Sequence, residues 1–145
     1  MDFIAKLTDK MGYLFAVLGA AAGWFLGSVN GLIYALLAFV VCDYITGILY
    51  ACLTKTLSSE VGFRGLAKKM AIFMLVGLAN LIDVYVVGQG AVLRSAVILF
   101  YIANEGVSLM ENWGKLGLPL PEKLKQSLIQ LQEKQKMENQ KGEKK

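Results

Sequence analysis

The sequence predicts an all-α integral membrane protein: about four transmembrane helices in two hairpins, then a short cytoplasmic amphipathic helix. Three observations predict it. Of 145 residues, 56% are hydrophobic and only 18% charged, far from the balance of an average soluble domain. No charged side chain occurs from Met11 to Cys42, and only Asp43 interrupts the run as far as Thr54. That is about twice the ~20 residues one helical crossing needs, so the chain must turn back within it. Finally, nearly all the basic residues, Arg94 excepted, are segregated into three segments: Lys6 and Lys10; Lys55, Arg64, Lys68 and Lys69; and the stretch from Lys115 onward.

The elements follow in order. Residues 1–10 set Phe3, Ile4 and Leu7 against Lys6, Asp9 and Lys10, as in a short helix lying at a membrane surface. Span one is placed at 11–27, about 25 Å long if fully helical. Its apolar run and the small residues Ala20–Ala22 look like a signal peptide, but Asp2 and Asp9 argue against cleavage. Ser28-Val29-Asn30-Gly31 reads as a tight turn, since Asn-Gly favours turn geometry. Span two covers 32–53, a polar loop 54–65, and span three 66–87. Gly88-Gln89-Gly90 is a second turn, and span four covers 91–112. Gly114, Gly117, Pro119 and Pro121 end that helix. The membrane domain is therefore 1–112. The remainder, 113–145, is read as a cytoplasmic helix with Leu124, Leu128 and Leu131 on one face, ending in a charged, disordered tail. Four spans put the amino end, the central loop and the tail on one side. As all three are basic, that side is predicted to be cytoplasmic.

Two patterns point to assembly. Gly19, Gly23, Gly27 and Gly31 recur every four residues and share one helix face, where the absence of side chains lets helices approach closely. The later spans also carry polar residues: Asp43 and Thr46 on span two, Asn80 and Asp83 on span three, and Arg94, Asn104, Glu105, Ser108 and Asn112 on span four. An Asp or Arg at a helix centre costs roughly 2.5–3.5 kcal/mol on insertion scales, so such residues must turn inward, pair or be wetted. Across the short turn at Gln89, Asp83 and Arg94 fall at one depth and are expected to pair. Asp43 and Glu105 have no evident partner in the chain. They are expected either to line an oligomeric pore or to be hydrogen-bonded in neutral form.

Other functions lack their residues. There is no His, and no nucleophile–base set, so an enzyme is not predicted. The two cysteines, Cys42 and Cys52, stand ten residues apart on one span and offer no metal spacing; no cofactor is expected. The basic residues form no stripe with interleaved aromatics, and nucleic acid is not an expected partner.

Four segments, in order, carry a family resemblance. They are Asp43-Tyr44-Ile45-Thr46-Gly47; Leu57-Ser58-Ser59-Glu60-Val61-Gly62-Phe63-Arg64-Gly65 with Lys68-Lys69; Phe100-Tyr101-Ile102-Ala103-Asn104-Glu105-Gly106-Val107-Ser108 with Glu111-Asn112; and Gly117-Leu118-Pro119-Leu120-Pro121. Over about residues 40–125 they resemble the bacteriophage holin family, which includes the holin-like proteins of clostridial toxin secretion. The resemblance implies a lysis protein that assembles with copies of itself in the host cytoplasmic membrane and opens a hole. An endolysin, or in some members a toxin or enzyme cargo, passes through it. A small ion channel or proton-linked transporter subunit is the alternative suggested by Asp43, Asp83, Arg94 and Glu105.

Overall fold

A computed structural model describes residues 2–88 and 90–142, all of whose regular structure is helical. Five helices follow one another: α1 (Asp2–Leu26), α2 (Gly31–Leu53), α3 (Ser59–Ile82), α4 (Val92–Lys115) and α5 (Glu122–Gly142). A π-helical turn, Asp83–Val87, extends α3 and closes with Gly88 N–H on the Asp83 carbonyl at 2.9 Å.

Helices α2, α3 and α4 form the bundle. They run alternately up and down, so α2 and α4 are parallel, and these two make the most extensive contact. The core is Ile33, Leu36 and Val40 of α2, Ile72 and Val76 of α3, and Ile98 and Ile102 of α4. Residues three or four apart share a helix face, and the polar residues continue the same rows: Asp43 and Thr46 below Val40, Asp83 beyond Val76, and Arg94 and Glu105 either side of Ile98 and Ile102. The outward faces are apolar too, with Leu37, Val41, Met74, Leu78 and Leu99 exposed. A helix apolar all round has no amphipathic contrast to declare its inner face, as expected where the solvent is lipid.

Among the described residues, three helices are long and apolar enough to cross a membrane: α2, α3 with its π-helical extension, and α4. Helix α1 is one continuous helix from Asp2, not a surface segment followed by a span. Among the described residues its backbone makes no packing contact with α2 and packs on α3, while a side chain from α4 also reaches its last turn. The expected pairing of α1 and α2 in a hairpin is therefore corrected. Asn80 and Arg94, on α3 and α4, hold the end of α1, which carries it over α3 and away from α2.

The connections also differ from expectation. Asn30 is not within a tight turn. It caps α2, its side chain accepting from Ile33 N at 3.3 Å, and Gly31 is already helical. The central loop is shorter than 54–65 because Ser58 caps α3, accepting from Val61 N at 3.2 Å, with Glu60 in the first turn. The second turn holds its glycines at positive φ, +73° at Gly88 and +71° at Gly90; Gln89 lies outside the described residues. Gly117, at φ +74°, ends α4. Helix α5 spans 21 residues, longer than expected, and runs through the predicted disordered tail as far as Gly142; residues 143–145 lie outside the description.

Candidate functional site: charged groups inside the bundle

At one end of the bundle, Asp43, Lys69 and Glu105 come together from three different helices. Lys69 Nζ lies 2.5 Å from Asp43 Oδ2 and also donates to Glu105 Oε2. Asn112 Nδ2 donates to Asp43 Oδ1 at 3.0 Å and to Thr46 Oγ1 at 3.3 Å. Thr46 in turn donates to the Cys42 and Asp43 carbonyls of its own helix. The expectation that Asp43 and Glu105 lack partners is thus corrected: their partner is Lys69. Sequence alone groups it with Lys55, Arg64 and Lys68 in a basic segment expected on the cytoplasmic side. Because α3 begins at Ser59 instead of Leu66, Lys69 lies three turns inside the helix, and its side chain is only 13% exposed.

One ammonium answering two carboxylates is an economical way to hold acids away from water, since attraction recovers part of the desolvation cost. A cavity of about 360 Å³ opens beside the cluster, lined by Asp43, Lys68, Lys69, Glu105, Ser108 and Asn112 among others. Tyr44 seals one flank. Its hydroxyl donates to the Gly62 carbonyl at 3.3 Å, and its ring lies so close to Gly65 that a Cβ there would stand 3.3 Å away. At Gly47 a Cβ would stand in ordinary contact with Asn112 Nδ2, at 3.6 Å. Most polar members of the four motifs therefore meet here. Asn104 and Glu111 do not join the cluster. Ser58, Ser59, Gly117, Pro119 and Pro121 shape the helix ends; Trp113 Nε1 donates to the Pro119 carbonyl at 3.3 Å.

The other end of the bundle holds Asp83 and Arg94, each 1% exposed. The expected ion pair between their side chains is corrected, since neither finds the other within salt-bridge distance. Asp83 accepts from the backbone instead, from Leu93 N at 3.1 Å and Arg94 N at 2.8 Å. It supplies the N-terminal cap of α4 that Ala91 cannot. The guanidinium is turned to α1, Nε donating to the Leu26 carbonyl and Nη2 to the Ser28 carbonyl, both at 2.6 Å. Asn80 Nδ2 donates to the Trp24 and Phe25 carbonyls at 3.3 and 3.1 Å. Helix ends leave such carbonyls orphaned, and two side chains from other helices satisfy them. Asn80, read from sequence only as part of a polar stripe, is thus a capping residue; no local pattern announces a cap supplied from another helix.

The glycine repeat divides. Gly19, Gly23 and Gly31 have open space where a Cβ would stand. Gly27 sits at φ +80° just past α1, beyond the helix face of the repeat, and it is a point of close approach: a Cβ there would run into the Asn80 side chain and stand 3.0 Å from Arg94 Nε. A second close approach occurs at Gly77 of α3, against the Phe25 ring. Among the described residues no group of His, Cys, Asp and Glu could hold a metal ion.

The profile of the bacteriophage holin family matches residues 20–133. The uncharacterized protein Lin0175 of Listeria innocua is 43% identical over 77% of this chain and 79% of its own. An uncharacterized 14.9 kDa protein of Clostridium perfringens is 39% identical over 81% and 89%. A protein of Bacillus phage phi105, named "Probable holin", is 37% identical over 74% and 78%. No solved structure matches.

Proposed function

The chain belongs to the bacteriophage holin family, and on that premise we propose that it accumulates in a bacterial cytoplasmic membrane, assembles with further copies and opens an aqueous hole. An endolysin, or a secreted toxin or enzyme cargo, passes through. The observation that carries this reading is a bundle largely apolar on its outward faces with Asp43, Lys69, Glu105, Asp83 and Arg94 turned inside. Such a chain can collect in lipid without exposing those five charges to it. It needs no catalytic group for this task.

In this reading α1 is a fourth span and both ends are cytoplasmic. Its uncharged part, Met11–Leu26, is about 24 Å long, and hydrocarbon about 30 Å thick accommodates a short span by local thinning. The basic segments then lie on one side, as the positive-inside rule requires.

The Lys69 cluster and its cavity favour a second reading, a small ion channel or proton-linked transporter subunit. Induced expression in a bacterium that also carries a cytoplasmic endolysin separates the two. A holin halts growth abruptly and releases the enzyme. Loss of membrane potential without release of any protein would overturn the holin reading in favour of the channel.

A further inference from the structure

The seam between α3 and α4 carries a polar stripe that neither internal cluster uses. Tyr101, Asn104, Ser108 and Glu111 of α4 follow one another at spacings of three or four residues and so share one helix face. That face looks outward. Tyr101, Asn104 and Ser108 are half-exposed, Glu111 is exposed, and Lys68 of α3 is exposed beside them. The cavity of about 360 Å³ that borders the Lys69 cluster is lined by Lys68 and Ser108 as well, so stripe and cluster open on one space. Helix α5 meets a different face of α4, at Gly106, and leaves the stripe open.

Depth decides what this face can meet. At 1.5 Å per residue, Ser108 lies about 10 Å, Asn104 about 17 Å and Tyr101 about 21 Å inward from the Lys115 end of α4. Lys68 lies about 14 Å inward from the start of α3 at Ser59. In hydrocarbon about 30 Å thick, the stripe runs from the inner surface past the midplane. Among the described residues, Lys68, Tyr101, Asn104 and Ser108 have no side-chain hydrogen bond or ion pair. Lys68 can send its long side chain back toward the cytoplasmic headgroups. Asn104 and Ser108 cannot. They are short, and Cβ atoms tilt toward a helix's amino end, which for α4 is the outer side in the proposed orientation. Facing lipid, their donors and acceptors would go unmet.

A neighbouring copy offers them little better. At this depth the outward faces present Leu18 on α1, Val41 and Ile45 on α2, and Leu66 and Met70 on α3, none with a side-chain donor or acceptor to give. Seam laid against seam would bring two unpaired Lys68 ammoniums together, and like charges oppose that. Water satisfies the face at every level.

We propose that the α3–α4 seam is the surface turned to water in the open hole, wetted from its inner mouth as far as Tyr101. This rests on the hole-forming reading above. Beyond Tyr101 the seam turns apolar, at Leu75, Val97 and Phe100, so the outer rim of the hole is apolar.

The test uses the full chain with Cys42→Ser and Cys52→Ser, reconstituted in phospholipid vesicles holding a trapped dye. Single variants Asn104→Cys and Ser108→Cys place a thiol in the seam; Ile45→Cys and Met70→Cys place one on the apolar faces. A charged methanethiosulfonate, which reacts only where water reaches, is expected to modify residues 104 and 108 in leaking vesicles. At residues 45 and 70 it should react an order of magnitude more slowly. A further variant, Asn104→Leu with Ser108→Ala, removes the polar lining without adding a buried charge. It is expected to enter vesicles in undiminished amount and to leak several-fold more slowly. Equal reaction at all four sites would overturn the assignment, as would unchanged leakage from the lining variant. So would a thiol at residue 108 that resists the reagent yet oxidises rapidly to linked pairs, since the seam would then be a contact between copies. Absence of leakage from the chain with residues 104 and 108 intact would instead overturn the hole itself, and the lining with it.

Discussion

The Arg94 guanidinium reaches across the bundle to the last turn of α1, its Nε 2.6 Å from the Leu26 carbonyl oxygen. With its second bond to the Ser28 carbonyl, it is a main attachment of α1 to the rest of the chain. Arg94→Gln should release that end, each charge-assisted hydrogen bond being worth about 1.5–3 kcal/mol. Arg94→Lys should recover little, because a single ammonium lacks the fork that serves two carbonyls. The check is thermal unfolding in detergent together with thiol labelling of a cysteine at Trp24, which should rise in both variants. Asp83→Ala should destabilise separately by uncapping α4, at about 1 kcal/mol. Since the two side chains serve different partners, the double variant should show near-additive losses. Recovery in the double variant would restore the ion pair that the sequence suggested.

Lys69 is the cation on which two acids depend. Lys69→Met should leave Asp43 and Glu105 facing each other unneutralised, a loss on the scale of the ~3–5 kcal/mol seen when one partner of a buried pair is removed. The triple variant Asp43→Asn, Lys69→Met, Glu105→Gln should regain most of the membrane accumulation. Immunoblotting of membrane fractions checks both. A triple variant no better than Lys69→Met would mean that charge balance is not what the cluster supplies.

The glycines of α1 and α3 should behave oppositely. Gly77→Ala puts a methyl into the Phe25 ring, where a Cβ would stand 2.1 Å from Cε1, and overpacking of this kind costs about 1–3 kcal/mol. A Cβ at residue 23 meets nothing within 4 Å in the single chain, so Gly23→Leu should leave detergent stability unchanged. Any change it makes in crosslinked oligomers or lysis timing reports a contact between copies.

The crossing of α1 is decided by the side on which Lys6 lies. A single cysteine at Lys6, in a chain lacking Cys42 and Cys52, should resist an impermeant thiol reagent applied outside intact cells, while one at Gly90 should react. Reaction of both from outside would leave three spans.

Composition and charge placement made the helical membrane character legible, because an uncharged run as long as Met11–Cys42 has few other uses. The turns at Gly88–Gly90 and the stop at Gly117 were legible from glycine alone. What sequence could not give was which group meets which. Asp43 and Lys69 are 26 residues apart and Asp43 and Asn112 are 69 apart, and no short-range pattern encodes the rotation of each helix. Counting depth from the turn placed Asp83 beside Arg94 correctly but could not say that the backbone N–H, not the guanidinium, would face the acid. The docking of α5 on α4, where Leu128 is buried against Gly106, was hidden for a related reason: its row of leucines fits a surface helix and a docked one equally.

The order in which the cluster is synthesised has a consequence of its own. Asp43 leaves the ribosome 26 residues ahead of Lys69, an interval of about 1–5 s at bacterial elongation rates. Apart from Asp43 and Thr46, α2 is apolar on every side, so little fixes its azimuth in lipid and newly inserted α2 is free to turn about its axis during that interval. The arrival of Lys69 ends the freedom by drawing Asp43 to one side, and only then is a particular edge of α2 presented for α4 to lie along. One lysine would thus act as an assembly jig during biogenesis, setting the orientation of a helix made before it for a helix made after it.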